Sequence, residues 1–192
     1  MIKDKMNKLN QSERILIAAS KCISSRGYAN VSLRDIANEA GVVLSQLNYY
    51  YKNKEGLFIE VVKMMIKKYL IQIEECLKRE VSPKKRVVAL IKYFKDLLKY
   101  NPELFKLLYD FTGLALWTPK FKNLLNNLFK ELSNIIEKYI LNTIQIKNIK
   151  GYSPKSLSRF ILGSMFGTAI QILLADEEDL SETLDLVEIL FE

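Results

Sequence analysis

Residues 32–58 read SLRDIANEAGVVLSQLNYYYKNKEGLF, and this stretch decides the fold. Ser32 can cap a helix, and Asp35 three positions later is placed to close a capping box. Leu33, Ile36, Ala37 and Ala40 supply the apolar side of that helix. Gly41 follows where the chain must turn sharply, a place for a left-handed residue. A further short helix is predicted from about Val43 to Tyr50, closed by the polar break Lys52-Asn53-Lys54. Two short helices on a tight glycine-containing turn, with a third packed across them, form a helix-turn-helix. In that arrangement the second helix of the pair fits the major groove, its outward side chains read base edges, and flanking groups hold phosphates.

The third helix is found upstream. Ile15, Ala18, Ala19, Cys22 and Ile23 make one apolar face over about 12–26, with Ser12 expected as its cap and Gly27 as its end. Downstream, Leu57, Val61, Met65, Tyr69 and Ile73 open a long helix reaching roughly Arg79. Ser82-Pro83, Asn101-Pro102, Thr118-Pro119 and Ser153-Pro154 each start another, since proline is welcome at a first helical position. A last helix is expected to carry Leu180, Leu184, Val187 and Phe191. No segment alternates apolar and polar residues for long. The fold class is therefore all-α with about nine helices. A three-helix head over residues 1–54 is followed by a larger helical domain over 55–192, whose apolar stripes must form a core of their own.

Charge is a weaker guide. The 192 residues carry a net charge of +7, with 49% hydrophobic and 27% charged residues. Residues 1–54 hold nine Lys/Arg against four Asp/Glu; residues 55–175 hold twenty against ten; residues 176–192 hold eight acids and no base. The basic excess permits a polyanionic partner without locating the contact. The longest charge-free stretch, Phe160 to Ala175, spans 16 residues, below the ~20 of a spanning helix, and reads as a buried core helix with no membrane role. Met1 to Lys8 is polar and basic with no apolar segment behind it, so no secretory leader is expected. Cys22 and Cys76 form no metal or redox motif and suit a reducing compartment, which points to the cytoplasm.

The run at 32–58, extended by AAS at 18–20 and RGY at 26–28, resembles the DNA-binding signature of the TetR family of bacterial regulators. The close resemblance covers about residues 12–62; beyond that the chain agrees only in being a string of amphipathic helices. The resemblance implies a double-stranded DNA partner and a role for each matching residue. Ser32 and Arg34 would hold phosphate; Val43, Leu44, Ser45, Gln46 and Asn48 would present the reading surface. Gln46 and Asn48 can each pair with adenine through both amide atoms, and Leu44 can touch a thymine methyl. Tyr49 and Tyr50 would pack on the sugar-phosphate backbone, while Lys52 and Lys54 neutralise phosphates. Val43 and Leu44 depart from the Ser and Lys that the family often carries there, which removes a usual helix cap. Tyr51 stands for the more usual Phe and is expected to be largely packing, adding only an exposed hydroxyl.

The resemblance also implies a pocket for a small, often lipophilic effector. Met65, Tyr69, Phe94, Phe105, Tyr109, Trp117 and Phe121 are its candidate lining, with a filled core as the plain alternative. Asp110 would meet a cationic ligand or face water. Gly163 and Gly167, with Leu184 and Val187, are the candidate homodimer interface, against simple intrachain packing. An enzyme is the main rival class. The chain has no histidine, and no nucleophile elbow, phosphate-cradling loop, cofactor fingerprint or metal motif appears. A helical adaptor or membrane-surface protein using the basic 63–99 stretch is the third reading, with those lysines as a solvated face instead.

Overall fold

The computed structural model describes residues 10–143, 151–175, 182–189 and 191. Among them are nine α-helices and no strand: α1 Gln11–Arg26, α2 Leu33–Ala40, α3 Leu44–Tyr50, α4 Lys54–Arg79, α5 Pro83–Tyr100, α6 Pro102–Trp117, α7 Pro119–Tyr139, α8 Pro154–Ala175 and α9 Leu186–Ile189. The all-α expectation holds. Met1 to Lys8 and Leu180 lie outside the described residues.

Helix starts follow local hydrogen-bond chemistry, with one correction. Asn10, not Ser12, caps α1: its side chain accepts from the Glu13 N–H at 2.8 Å, and Glu13 accepts from the Asn10 N–H at 3.0 Å. Ser12 is thereby freed for a tertiary bond described below. The four proline starts all appear, but only Ser82 and Ser153 cap with their side chains, accepting from Lys85 and Ser156. Asn101 sends its amide to the Tyr69 hydroxyl instead, at 2.8 Å.

The 26-residue α4 is the spine, about 39 Å long at 1.5 Å per residue. Its first turns bury Leu57, Phe58, Val61 and Val62 beneath α1, and its far end buries Leu77 in the main bundle. Phe58 is fully buried and meets Tyr28 of the head at 4.5 Å between ring centroids, Phe111 of α6 at 6.3 Å and Phe121 of α7 at 5.6 Å. Edge-to-face geometry of this kind adds to what burial alone contributes. Asp110 fastens the rim of that junction by accepting from the Tyr28 backbone N–H at 2.8 Å. Lys120 of α7 bridges to Glu55 of α4 at 3.2 Å.

Two expectations for the last third of the chain change. First, α8 is not buried all round. It buries Ser158, Ile161, Leu162, Met165, Thr168 and Ala169, but turns Phe160 (60% exposed) and Leu174 (79%) outward. The helix begins at Pro154, as expected, and so extends beyond its charge-free stretch, carrying Lys155 and Arg159 on its first turns. By length and composition it is the one helix among the described residues apolar enough to cross a membrane. Second, the end of the chain is a 3-10 turn at 182–184 followed by the short α9, not one amphipathic helix. Asp185 sits at the break, with Lys95 of α5 at 2.6 and 2.7 Å from its two oxygens.

Glu74 on α4 ties the spine to α7. It accepts from the Tyr139 hydroxyl at 2.6 Å and from Lys138 at 3.2 Å, with Lys78 at 3.4 Å. The Tyr139 hydrogen bond, then that of Lys138, holds its carboxyl down at about 2. A depressed carboxyl contributes stability above its ordinary value of 4.5 and loses it as pH falls toward 2. Urea-unfolding midpoints should therefore fall on acidification below pH ~4.5, and Glu74→Gln should flatten that part of the acid limb. An unchanged limb would show that the clamp carries no stability.

Candidate nucleic-acid interface

The helix-turn-helix is built as the spacing predicts. Ser32 accepts from the Asp35 N–H at 3.1 Å, while Asp35 accepts from the Ser32 N–H at 2.8 Å and from its hydroxyl at 2.6 Å. These bonds hold the Asp35 carboxyl below the usual carboxylate range. Gly41 adopts the left-handed conformation, φ 64° and ψ 41°. Arg14 of α1 closes the turn from outside, donating to the Ala40 carbonyl at 2.8 Å. Leu47 is fully buried and anchors α3 to Ile36, Ala37 and Ala40 in the head core.

The start of α3 shows how the missing cap is handled. Val43 has extended φ and ψ of −79° and 152°, the geometry of an N-cap, but no side-chain acceptor. Gln46 reaches back, and its Oε1 accepts from the Val43 N–H at 3.2 Å. Only this return half of a capping box exists here.

The proposed DNA residues fall into three settings. Val43 (61% exposed), Ser45, Gln46, Asn48 and Tyr49 (83%) stand out from α3, with Lys52 exposed just beyond it. Ser32, Arg34, Leu44, Asn48 and Lys54 line one open groove between the ends of α2 and α3. Within it the Ser32 hydroxyl is already engaged by Asp35, whereas Arg34 is exposed. Lys54 lies 4.4 Å over the Tyr28 ring and donates to the Ala29 carbonyl at 3.4 Å, and burial lowers its pKa. It is as much a clamp on the head as a free cation. Tyr50 leans on Tyr49 edge-on at 5.2 Å and points its hydroxyl at Gln11, 3.4 Å away.

Tyr51 packs as expected, but its hydroxyl is not exposed. It is only 8% exposed, and its hydroxyl lies 2.8 Å from the Ser12 hydroxyl and donates to the Ser12 carbonyl at 3.3 Å. The extra oxygen is a pin between α3 and α1, and no local pattern announces a pair 39 positions apart.

The larger bundle holds a cavity of about 110 Å³ between α4, α5, α6, α7 and α8. Met65, Tyr69, Phe94 and Phe105 line it as expected. Three candidates do not. Trp117, at the end of α6, is 87% exposed because helical phase turns it away from the inward Phe111 and Ala115. Phe121 is buried in the Phe58 junction. Tyr109 braces the wall, donating to the Phe166 carbonyl at 2.5 Å, and burial pushes its hydroxyl up to about 12. Missed lining comes from the inner stripes of all five helices, Val62, Ile66, Leu70 and Ile73 of α4 among them, which the sequence pattern does not separate from ordinary core. Asp110 is exposed and bound to Tyr28, so it reaches no cavity.

Beside the cavity, a groove between α7 and α8 is lined by Lys130, Lys155 and Arg159 together with one acid, Glu137, which accepts from the Ser158 hydroxyl at 3.3 Å; the groove shares Leu162 with the cavity wall. Among the described residues none of these three cations has an acidic partner within salt-bridge range. Gly163 also lines this groove, and an added Cβ at Gly163 or Gly167 meets nothing within 4 Å. Leu184 and Val187, expected at a dimer interface, are 1% and 6% exposed within a single chain. Val187 lies on α9, which packs against α5, and both residues leave almost no surface for a partner.

A short, outward-facing helix held by a glycine turn on a three-helix head, ahead of a hollow helical bundle, defines a DNA-binding transcriptional regulator. Residues 15–61 match the family of bacterial regulatory proteins, tetR family. The chain is 25% identical over 166 residues to the fatty acid metabolism regulator protein of Bacillus subtilis, covering 86% of this chain and 84% of that one. It is likewise similar to the crystal structure of the transcriptional regulator FadR from Bacillus subtilis in complex with stearoyl-CoA, at TM-score 0.75 and 25% identity, covering 93% of this chain and 96% of that one. A TetR transcription regulator from Haloarcula marismortui shares the fold at TM-score 0.82 and 19% identity, covering 94% and 95%. Residues 15–61 carry the DNA-binding domain of the TetR family, and the chain as a whole is similar to bacterial transcriptional regulators of that family.

The Tyr51–Ser12 pin gives a direct test of the head. Tyr51→Phe should cost about 0.5–1.5 kcal/mol in thermal or urea unfolding, the net value of one hydrogen bond. In a double-mutant cycle with Ser12→Ala the two losses should not add. Full additivity would show that the two hydroxyls are not coupled.

Proposed function

We propose that this protein is a cytoplasmic homodimeric repressor that binds a pseudo-palindromic operator and is released by an acyl ligand bearing an anionic head. Residues 1–54 form the DNA-binding domain and 55–192 the effector and dimerisation domain. The observation that carries the DNA reading is the outward row on α3: Val43, Gln46, Asn48 and Tyr49 are exposed while Leu47 between them is fully buried. Val43, Leu44, Ser45, Gln46 and Asn48 read bases. Arg34, Tyr49, Tyr50 and Lys52 hold the backbone, with Ser32 and Lys54 supporting them through their own packing. The exposed face of α8, with Phe160, Gly163, Gly167, Ile170 and Leu174, is the dimer surface, because its small residues allow close helix approach.

The effector proposal rests on the apolar cavity and on the cluster of cations next to it. An acyl chain occupies the space lined by Met65, Tyr69, Phe94 and Phe105, and its charged head meets Lys130, Lys155 and Arg159. The similar protein that binds stearoyl-CoA supports that ligand class. The cavity is smaller than the ~150 Å³ void that accepts benzene in an engineered lysozyme. A long chain must therefore push the walls apart. Phe111 is one of those walls and also stacks on Phe58, so widening is felt at the junction with the head. Ligand and operator then favour different arrangements of one equilibrium.

Two measurements test this. Binding of promoter duplexes across a salt series should show sequence preference that Gln46→Ala/Asn48→Ala erodes. Arg34→Ala should weaken all sequences and reduce the salt slope by about 0.9 per lost phosphate contact. No preference over random duplex at any salt would end the regulator reading. Stearoyl-CoA should lower operator affinity, and Lys130→Ala/Arg159→Ala should weaken stearoyl-CoA but not uncharged octadecanol. Equal loss for both ligands, or no binding of either, would reject the proposed head site.

A further inference from the structure

We infer that Gln46 reads the operator as a donor only, favouring guanine over adenine, because Val43 has captured its carbonyl. The inference rests on α3 being the reading helix. An N-cap with a Ser, Thr, Asn or Asp side chain supplies an acceptor to the first turn of its helix. Val43 supplies none, and Gln46 answers by bringing its side chain back over that turn. A backbone N–H can only donate, so the Gln46 atom 3.2 Å from the Val43 nitrogen must be the carbonyl oxygen. The orientation of the amide is thereby fixed: Oε1 faces the backbone and the NH₂ group faces outward.

That orientation changes what the residue can recognise. Adenine presents an acceptor at N7 beside a donor at N6, and a free glutamine matches it with one donor and one acceptor. Guanine presents two acceptors, N7 and O6, and a tethered glutamine offering only donors matches that edge instead. Against adenine the outward NH₂ confronts the N6 amino group. Turning the amide to suit adenine breaks the bond to Val43. Asn48 has no partner among the described residues, so it keeps both ends of its amide and remains suited to adenine. Val43 itself, 61% exposed beside Gln46, offers methyl groups to thymine. The reading surface is therefore a coupled pair, Val43 with Gln46, followed by an independent Asn48.

The test is selection of full-length protein on randomised operator duplexes, comparing wild type with Val43→Ser, Gln46→Ala and Gln46→Glu. The base facing Gln46 is the one whose preference disappears in Gln46→Ala. Wild type should enrich guanine there, and Gln46→Glu should lose that enrichment. Val43→Ser supplies its own cap and releases the amide, so the preference should move toward adenine by about five- to tenfold, the scale of one hydrogen bond. Circular dichroism should show Val43→Ser folded, since serine caps helices better than valine. Adenine preferred by wild type, or a guanine preference unmoved by Val43→Ser, overturns the tether while leaving the regulator reading intact. Absence of any base preference overturns both together.

Discussion

Burial of the Phe58 ring is the constraint on which the rest of this structure depends. It belongs to the first turns of α4, yet it is enclosed by Tyr28 from the head and by Phe111 and Phe121 from the bundle. The head alone is too small to bury such a ring, and the bundle without it would leave Phe111 and Phe121 bare at one end. Each part therefore completes the core of the other. The polar bonds around this ring, Asp110 to the Tyr28 N–H and Lys120 to Glu55, fix its rim. Because Phe111 is also a wall of the cavity, one ring lies between the proposed ligand and the proposed DNA surface.

The recognition helix is held by a set of small commitments. At seven residues α3 is too short to persist by propensity alone. Leu47 supplies its hydrophobic anchor, Tyr51 pins its end to Ser12, and Gln46 compensates for the absent cap at Val43. Each of these is placed next to an outward side chain. Stability and readout are consequently not separable on this helix. A residue that stabilises the start of α3 is also one that would face a base.

The bundle shows a different division. Its cavity is apolar on nearly every side, while the cations nearest to it sit outside in the α7–α8 groove, with no salt bridge to an acidic residue among the described residues. Charge is kept out of the cavity by the cost of burying it unpaired. An amphipathic ligand suits that separation. The outward face of α8 has the opposite character, with Phe160 and Leu174 exposed to solvent in the single chain. A surface of that kind is what a partner of the same shape would cover.

Local chemistry made much of this legible from the sequence. The Ser32–Asp35 capping box, the left-handed Gly41, the proline helix starts and the apolar stripes all act within a few residues, so reading the chain in order recovers the helices up to α8 among the described residues and the outward row on α3. What the sequence could not supply were pairings between distant positions. Tyr51 with Ser12, Asp110 with Tyr28 and the Glu74 clamp bring together residues 39, 82 and 65 positions apart. Apolar stripes state that a residue is covered but not what covers it, which is why Phe121 went to the junction, Trp117 to solvent, and Leu184 and Val187 to the chain's own core. The sequence determined that a helix-turn-helix would form between Ser32 and Lys54, since its capping and turn chemistry is local. Only the tertiary structure decided which of its side chains remain free to face DNA, since that depends on which partners the fold delivers to them.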